Sequence, residues 1–191
     1  MEPHRFAATP GSTGRSLSLP AVTLVLGGAR SGKSAHAEAL CLASGRQPIY
    51  LATARAEDAE MAARIARHRA RRGAAWQTTE ESLALADALR RDCRTDSVVL
   101  VDCLTLWLSN LMEAGWAPDA ESETLLRVLD ELNGPVVFVS NEVGLGIVPD
   151  NELARAFRDD AGQLNQVLAK RANRVVFLAA GLPLLLKQEP A

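Results

Sequence analysis

The sequence lacks several features that would assign it to common protein classes. Its 191 residues include three cysteines, Cys41, Cys93 and Cys103, an odd number without CxxC spacing, so neither a disulfide framework nor a zinc site is indicated. No apolar run reaches the roughly 18 residues of a membrane span, and none near the N-terminus resembles a signal-peptide core. The formal net charge of −2 argues against a general nucleic-acid binder. We therefore expect a soluble protein of the reducing cytoplasm.

The sequence does contain enough apolar residues for one folded domain. Hydrophobic residues make up 48% of the chain, which is sufficient to bury a full core. The first twenty residues, MEPHRFAATPGSTGRSLSLP, are instead rich in Pro, Gly, Ser and Thr. We predict a disordered extension over residues 1–20 and a single domain over residues 21–191.

Short apolar runs alternate with longer helical patterns from Ala21 onward. Five runs predict β-strands: Ala21–Leu26, Ile49–Ala52, Val98–Asp102, Val136–Ser140 and Val175–Ala179. Six stretches predict helices, near Ser34–Ser44, Glu57–Arg71, Ser82–Asp92, Leu104–Ala114, Ala120–Asn133 and Asn151–Ala172. Gly45 and Gly134 lie where C′ glycines would end two of these helices. Because the strands are almost wholly apolar, they predict an α/β fold with a mostly parallel central sheet covered by helices on both faces.

The stretch GGARSGKS follows the first predicted strand and opens the first predicted helix. Its residues are Gly27, Gly28, Ala29, Arg30, Ser31, Gly32, Lys33 and Ser34. They match the P-loop pattern GxxxxGK[ST], in which backbone N–H groups surround phosphates, the lysine reaches the β- and γ-phosphates, and the serine hydroxyl coordinates magnesium. The alternative is a glycine-rich turn with an incidental lysine. The strand–loop–helix context favours nucleotide binding in a P-loop NTPase-type domain.

Asp102 ends the apolar run VVLVD. The carboxyl end of a strand is where an α/β sheet places its ligands, and an aspartate there can hold magnesium directly or through water. The alternative is that Asp102 caps the helix that follows, and one aspartate can serve both purposes.

His68 stands among arginines in the stretch RIARHRARR. On a helix, Met61, Ile65, His68 and Arg72 would share one face. A packing histidine is the usual explanation for such a position, and basic residues near a helix C-terminus are favoured without any function. The residues alone therefore leave both a structural and a catalytic role open.

Several longer segments resemble one enzyme family over most of the chain, from about Val22 to Ala180. The segments are GGARSGKS, YLATAR at Tyr50–Arg55, DAEMAARIARHRARR at Asp58–Arg72, the W-x-T-x-E element at Trp76–Glu80, VDCLTLWLSNL from Val101, and SNEVGLGIVPDNELARAFRDDAGQLNQ from Ser140. The family is that of the bifunctional adenosylcobinamide kinases and adenosylcobinamide-phosphate guanylyltransferases of cobalamin biosynthesis. The P-loop is shared with many enzymes, whereas the histidine segment and SNEVG-x-GIVP together are specific to this family.

The resemblance implies two reactions and a set of residues. Members phosphorylate the aminopropanol hydroxyl of adenosylcobinamide with ATP or GTP, with magnesium, and then transfer GMP from GTP through a guanylyl-histidine. His68 matches that nucleophile, and Glu80 matches a position that could recognise guanine, with helix capping as its alternative. The matching nucleotide-contacting segments comprise Thr53, Ala54, Arg55, Arg69, Ala70, Arg71 and Arg72. The glycine-containing stretch from Glu142 to Pro149 is expected to form a loop that closes on the corrinoid or on a neighbouring subunit, and a homotrimer is implied.

Other functional classes make different predictions. A P-loop switch or motor would use Lys33, Ser34 and Asp102 but would have no need of a nucleophilic His68. A small-molecule kinase with a single activity would keep the P-loop and form no GDP-linked product. A non-catalytic interaction module would not bind GTP.

Overall fold

The computed structural model describes residues 19–55 and 73–189 of the chain. The helix predicted over Glu57–Arg71 and nearly all of the predicted N-terminal extension lie outside these residues, so both stay predictions. Within the described residues the element order is that of an α/β domain. No helix among them is long and apolar enough to span a bilayer.

Within residues 19–55 and 73–189, seven strands form one sheet at the centre of the domain. They are β1 (Val22–Gly27), β2 (Gln47–Ala52), β3 (Gln77–Glu80), β4 (Ser97–Asp102), β5 (Val136–Asn141), β6 (Arg174–Ala179) and β7 (Leu182–Gln188). Their spatial order is β3-β2-β4-β5-β1-β6-β7, and all adjacent pairs are parallel except β6–β7. The predicted parallel sheet is confirmed, and its carboxyl ends lie along one edge.

Two strands were not predicted from the sequence, and each has a physical reason. β3 reads QTTE and is mostly exposed at the edge of the sheet, so it has no apolar run to reveal it. β7 reads LPLLLKQ and pairs antiparallel with β6 across a tight turn at Ala180 and Gly181, which have φ values of 51° and 80°. Edge strands need only one neighbour, so their sequences are less constrained than those of central strands.

Five helices connect the strands within the described residues. They are α1 (Lys33–Ala43), α2 (Leu85–Asp92), α3 (Leu104–Ala114), α4 (Pro118–Leu129) and α5 (Glu152–Arg171). α2 begins three residues later than predicted, and α4 begins two residues earlier because Pro118 is favoured at a helix start. Gly45 has φ 69° just beyond α1, which confirms it as a C′ glycine.

The prediction that Gly134 ends a helix is wrong. α4 ends at Leu129, well before Gly134, and the φ of Gly134 is not positive. A Cβ atom at this position would overlap the carbonyl oxygen of Arg94 and crowd that of Ser97. Position 134 requires glycine because the backbone before β4 passes against it. In the sequence, a glycine required by a close backbone approach looks the same as a glycine that ends a helix.

The helices bury the two faces of the sheet in separate clusters. On one face α1 contributes Ala37 and Cys41, which pack with Val25, Leu100 and Val139. The other face is covered by α2 to α5, and its largest buried residues include Trp107 of α3 and Phe138 of β5. Because side chains alternate along a strand, the α1 face continues from Leu100 to Asp102 at the carboxyl edge.

Candidate functional site

The loop between β1 and α1 has the backbone of a phosphate-binding turn. Gly32 has φ 96° and is the N-cap residue of α1, where a left-handed conformation favours glycine. A Cβ atom at Gly27 would lie 2.5 Å from the oxygen of Leu178 and 2.6 Å from Ser31 Oγ. Gly181 N donates to Ser31 O at 2.9 Å and so holds the loop against the β6–β7 turn. The loop thus opens directly onto the N-terminus of α1, where N–H groups attract anions.

Lys33 is the first residue of α1 and folds back beneath this loop. Its side chain is buried, and Nζ donates to Gly28 O at 3.0 Å. Ser34, the next residue, places its hydroxyl in the first turn of the helix. The hydroxyl of Ser31 is buried and has no hydrogen-bond partner among the residues that the structure describes. A cation held in the loop and an unpaired hydroxyl both suit a bound phosphate.

Asp102 lies at the carboxyl end of β4, separated from the P-loop strand by β5. The hydroxyl of Tyr50 donates to Asp102 Oδ2 at 2.7 Å. The alternative that Asp102 caps the following helix is wrong, because the N-cap residue of α3 is Cys103 and its side chain makes no capping bond. Since Asp102 points to the same face as Leu100, its carboxylate lies on the α1 face at the carboxyl edge of the sheet. The P-loop lies at the same edge.

The segment after β2 is tied to the connection after β4. Thr53 is fully buried, and its hydroxyl donates to Cys103 O and accepts from Cys103 N, both at 2.8 Å. Arg55 Nε donates to Ser82 Oγ at 3.1 Å, and its guanidinium lies 4.0 Å from Glu113. Ala54 lies between them and is half-buried. Thr53 thus has a structural role, which leaves Ala54 and Arg55 as the more accessible part of this segment.

Glu80 is the last residue of β3 and is exposed beside Ala52 in the parallel register. The capping role that we considered for Glu80 belongs instead to Glu81, whose Oε1 accepts the N–H groups of Leu83 and Ala84, both at 2.9 Å. These bonds also explain why α2 begins only at Leu85.

Three side chains that connect the carboxyl ends of the strands were missed by the sequence reasoning. Asn110 Nδ2 donates to Thr53 O at 2.8 Å and to Ser82 O at 3.1 Å, so it joins the segments after β2 and β3. Asn141 Nδ2 donates to Thr105 Oγ1 at 2.6 Å beside the P-loop strand. Tyr50, bound to Asp102, is the third. All three lie in segments that carry the family resemblance, and each is a polar residue inside or directly after an apolar run, but neither signal showed which groups they would join.

The predicted loop from Glu142 to Pro149 begins at the P-loop. Glu142 N donates to Gly27 O at 3.1 Å, and Glu142 Oε1 accepts from Gly144 N. Beyond this turn, Leu145 and Ile147 are 82% and 98% exposed. The loop thus presents apolar side chains to solvent next to the phosphate-binding turn.

The histidine segment is not among the described residues. His68, Arg69, Ala70, Arg71 and Arg72 lie between residues 55 and 73, where the structure gives no description.

Comparison with known proteins agrees with the fold and the motifs. The family model described as cobinamide kinase / cobinamide phosphate guanyltransferase matches residues 23–186. The bifunctional adenosylcobalamin biosynthesis protein CobP of Pseudomonas aeruginosa is 54% identical over 169 residues, which cover 87% of this chain and 98% of that protein. The corresponding protein CobU of Escherichia coli is 42% identical over 179 residues, 86% of this chain and 98% of its own.

Among solved structures, the flagellar accessory protein FlaH of Methanocaldococcus jannaschii superposes with a TM-score of 0.52 and 12% identity, covering 90% of this chain and 80% of that one. At this identity the likeness speaks for the fold alone, and it supports the P-loop NTPase-type architecture. The sequence matches are far stronger and extend over the P-loop, Asp102 and the loop after β5. The chain belongs to the cobinamide kinase / cobinamide phosphate guanyltransferase family.

Proposed function

We propose that this protein phosphorylates the aminopropanol hydroxyl of adenosylcobinamide with ATP or GTP and then joins GMP from GTP to the phosphate, giving adenosylcobinamide-GDP. The proposal rests mainly on the P-loop, which leads into α1 and contacts the ammonium of Lys33, in a chain that belongs to this family. The same geometry alone would suit a kinase with one activity. Membership in a family described by both activities favours the bifunctional enzyme.

In the kinase reaction, the residues of the P-loop hold and orient the donor nucleotide. Its N–H groups and the ammonium of Lys33 bind the β- and γ-phosphates and stabilise charge that develops as the γ-phosphoryl group moves to the acceptor hydroxyl. Hard cations prefer oxygen ligands, and the hydroxyl of Ser34 and the carboxylate of Asp102 are a donor set that fits magnesium. When bound, the ion would neutralise phosphate charge. No protein nucleophile is needed for this step.

In the transferase reaction we propose that His68 is the nucleophile. A neutral imidazole nitrogen attacks the α-phosphorus of GTP, so that a P–N bond forms and the bond to the leaving pyrophosphate breaks. An oxygen of adenosylcobinamide phosphate then attacks the same phosphorus, and the P–N bond breaks to regenerate the imidazole. The neighbouring Arg69, Arg71 and Arg72 would disfavour a charged imidazolium and stabilise the phosphates.

Further residues are proposed to bind the nucleotide. The segment of Thr53, Ala54 and Arg55, together with the stretch from Arg69 to Arg72 that includes Ala70, is assigned nucleotide contacts by the family resemblance. Glu80 would accept hydrogen bonds from guanine N1–H and its exocyclic amine, groups that adenine does not present in this arrangement. Its exposure at the open edge of the sheet is compatible with such a contact.

Incubation of the purified protein with GTP and magnesium tests the function directly. Mass spectrometry of the intact protein should show an added mass equal to GMP less one water, and adenosylcobinamide should then yield a GDP-linked product. A phosphorylated corrinoid without a nucleotidyl-enzyme would favour the single-activity kinase, and GTP hydrolysis without either product would favour a switch. We also propose a cytoplasmic homotrimer, for which light scattering should give a mass of three chains.

A further inference from the structure

We infer that Tyr50 is a positioning residue for the metal site: its hydroxyl holds the carboxylate of Asp102 in the orientation that a nucleotide-bound magnesium ion requires. The inference rests on the proposed function, since it assumes that Asp102 serves that ion. The observation behind it is the hydrogen bond from the Tyr50 hydroxyl to Asp102 Oδ2 at 2.7 Å. Nothing in the P-loop motif itself calls for a tyrosine here.

The position of Tyr50 in the sheet brings its hydroxyl to Asp102. Tyr50 lies on β2, next to β4, and its own register partner is Leu100, while Asp102 is paired with Ala52. The phenol therefore reaches two residues along the neighbouring strand, on the α1 face, to the carboxyl edge. Phenylalanine would keep the buried ring and its packing, so packing does not explain the hydroxyl.

The ring of Tyr50 is held rigidly, which makes its hydroxyl a fixed donor. The residue is only 5% exposed, and Trp76 packs edge-on against it with ring centroids 6.2 Å apart and planes at 83°. A carboxylate has two oxygens, and a fixed bond to one determines where the other points. Partners of this kind, one shell outside a metal, orient the ligand and raise metal affinity.

Tyr50→Phe isolates the hydroxyl because the ring and its contact with Trp76 remain. Mn²⁺ can replace Mg²⁺ as the probe, and its binding to the protein with a nonhydrolysable ATP analogue can be followed by electron paramagnetic resonance. We expect Mn²⁺ affinity to fall by about 10- to 100-fold. Binding of the analogue in the presence of EDTA should be unchanged. In the kinase assay, the KM for magnesium should rise while kcat at saturating magnesium stays close to that of the wild type.

Two controls separate positioning from packing. Trp76→Phe keeps an aromatic ring at the position that packs against Tyr50 and leaves the hydroxyl in place, so most of the Mn²⁺ affinity should be retained. In an Asp102→Asn background, Tyr50→Phe should have little further effect, because the carboxylate through which it acts is gone. Unchanged Mn²⁺ affinity in Tyr50→Phe, or an equal loss in Trp76→Phe, would overturn the inference. If the wild type bound no Mn²⁺–nucleotide at all, the proposed function itself would fail instead.

Discussion

At the scale of single residues, the proposed chemistry depends most on His68. If it is guanylylated, GTP labelled in the α-phosphate should label the protein, and the phosphoramidate should be labile in acid and stable in base. His68→Ala should abolish both the label and GMP transfer, since arginine neighbours stay protonated and offer no free nitrogen. Phosphorylation of adenosylcobinamide should continue, because P-loop kinases need no covalent intermediate.

His36 provides a matched control for that experiment. It is half-buried on α1, and burial, followed by the charge of Arg174, lowers the pKa of its imidazole. The lowered pKa favours the neutral form of His36, and His36→Gln should still be labelled. A label that survives in His68→Ala and disappears in His36→Gln would assign the nucleophile to the P-loop helix.

Guanine selection can be tested at two adjacent glutamates. Glu80→Gln replaces a pure acceptor with a group that also donates, so the preference for GTP over ATP in guanylylation should fall by roughly tenfold or more. Glu81→Gln is the control: its oxygen can still accept from Leu83 and Ala84, and the preference should not change. Equal preferences in both variants and the wild type would leave Glu80 without a role in recognition.

These residues differ in how far the sequence alone could find them. Gly27–Ser34 form a contiguous motif whose geometry follows from the strand before it and the helix after it, and the structure has both. The bond between Tyr50 and Asp102 joins positions 52 residues apart, and that from Asn110 to Thr53 joins positions 57 apart. Such pairs depend on strand order and register, which no local pattern specifies.

At the scale of elements, the contact between Gly134 and the backbone before β4 can be tested by a substitution that adds one methyl group. Gly134→Ala would push a Cβ atom into the Arg94 carbonyl, so we expect the free energy of unfolding to fall by about 1–3 kcal/mol. Gly162→Ala is the counterpart, because Gly162 lies within α5 and its added Cβ would meet nothing within 4 Å among the residues that the structure describes. That variant should be more stable by up to about 1 kcal/mol. Urea unfolding measures both; a stable Gly134→Ala would mean that the backbone there yields easily.

The sequence predicted those elements whose burial requires apolar residues. All five apolar runs became strands, since central parallel strands are covered on both faces and must be apolar. In the described part of the chain, β3 and β7 each have only one neighbouring strand; β3 is polar and carries no comparable signal, whereas the apolar residues of β7 were overlooked. The late start of α2 followed from a side chain, Glu81, that satisfies the N–H groups ahead of the helix.

At the scale of the whole molecule, the reactivity of the three cysteines measures how often the folded domain opens to solvent. All three are free and buried, and they lie on α1, just after α2 and just after β4. Burial raises the pKa of Cys41 to about 12 and that of Cys93 to about 11, and it also raises the pKa of Cys103. The thiolate is the reactive form, so the native protein should combine high thiol pKa values with poor access for reagents.

We therefore predict that the native protein at pH 8 reacts with a disulfide reagent such as Ellman's far more slowly than free cysteine, whereas denaturant exposes all three thiols at once. The remaining slow reaction requires opening of the domain, and a ligand that binds only the closed form reduces that opening by mass action. GTP with magnesium should thus slow it further. Cys41→Ala tells whether the thiol on the P-loop helix accounts for the nucleotide effect. A thiol that reacts at the rate of free cysteine in the native protein would contradict its burial, and a rate insensitive to GTP would mean that the opening leaves the phosphate site intact.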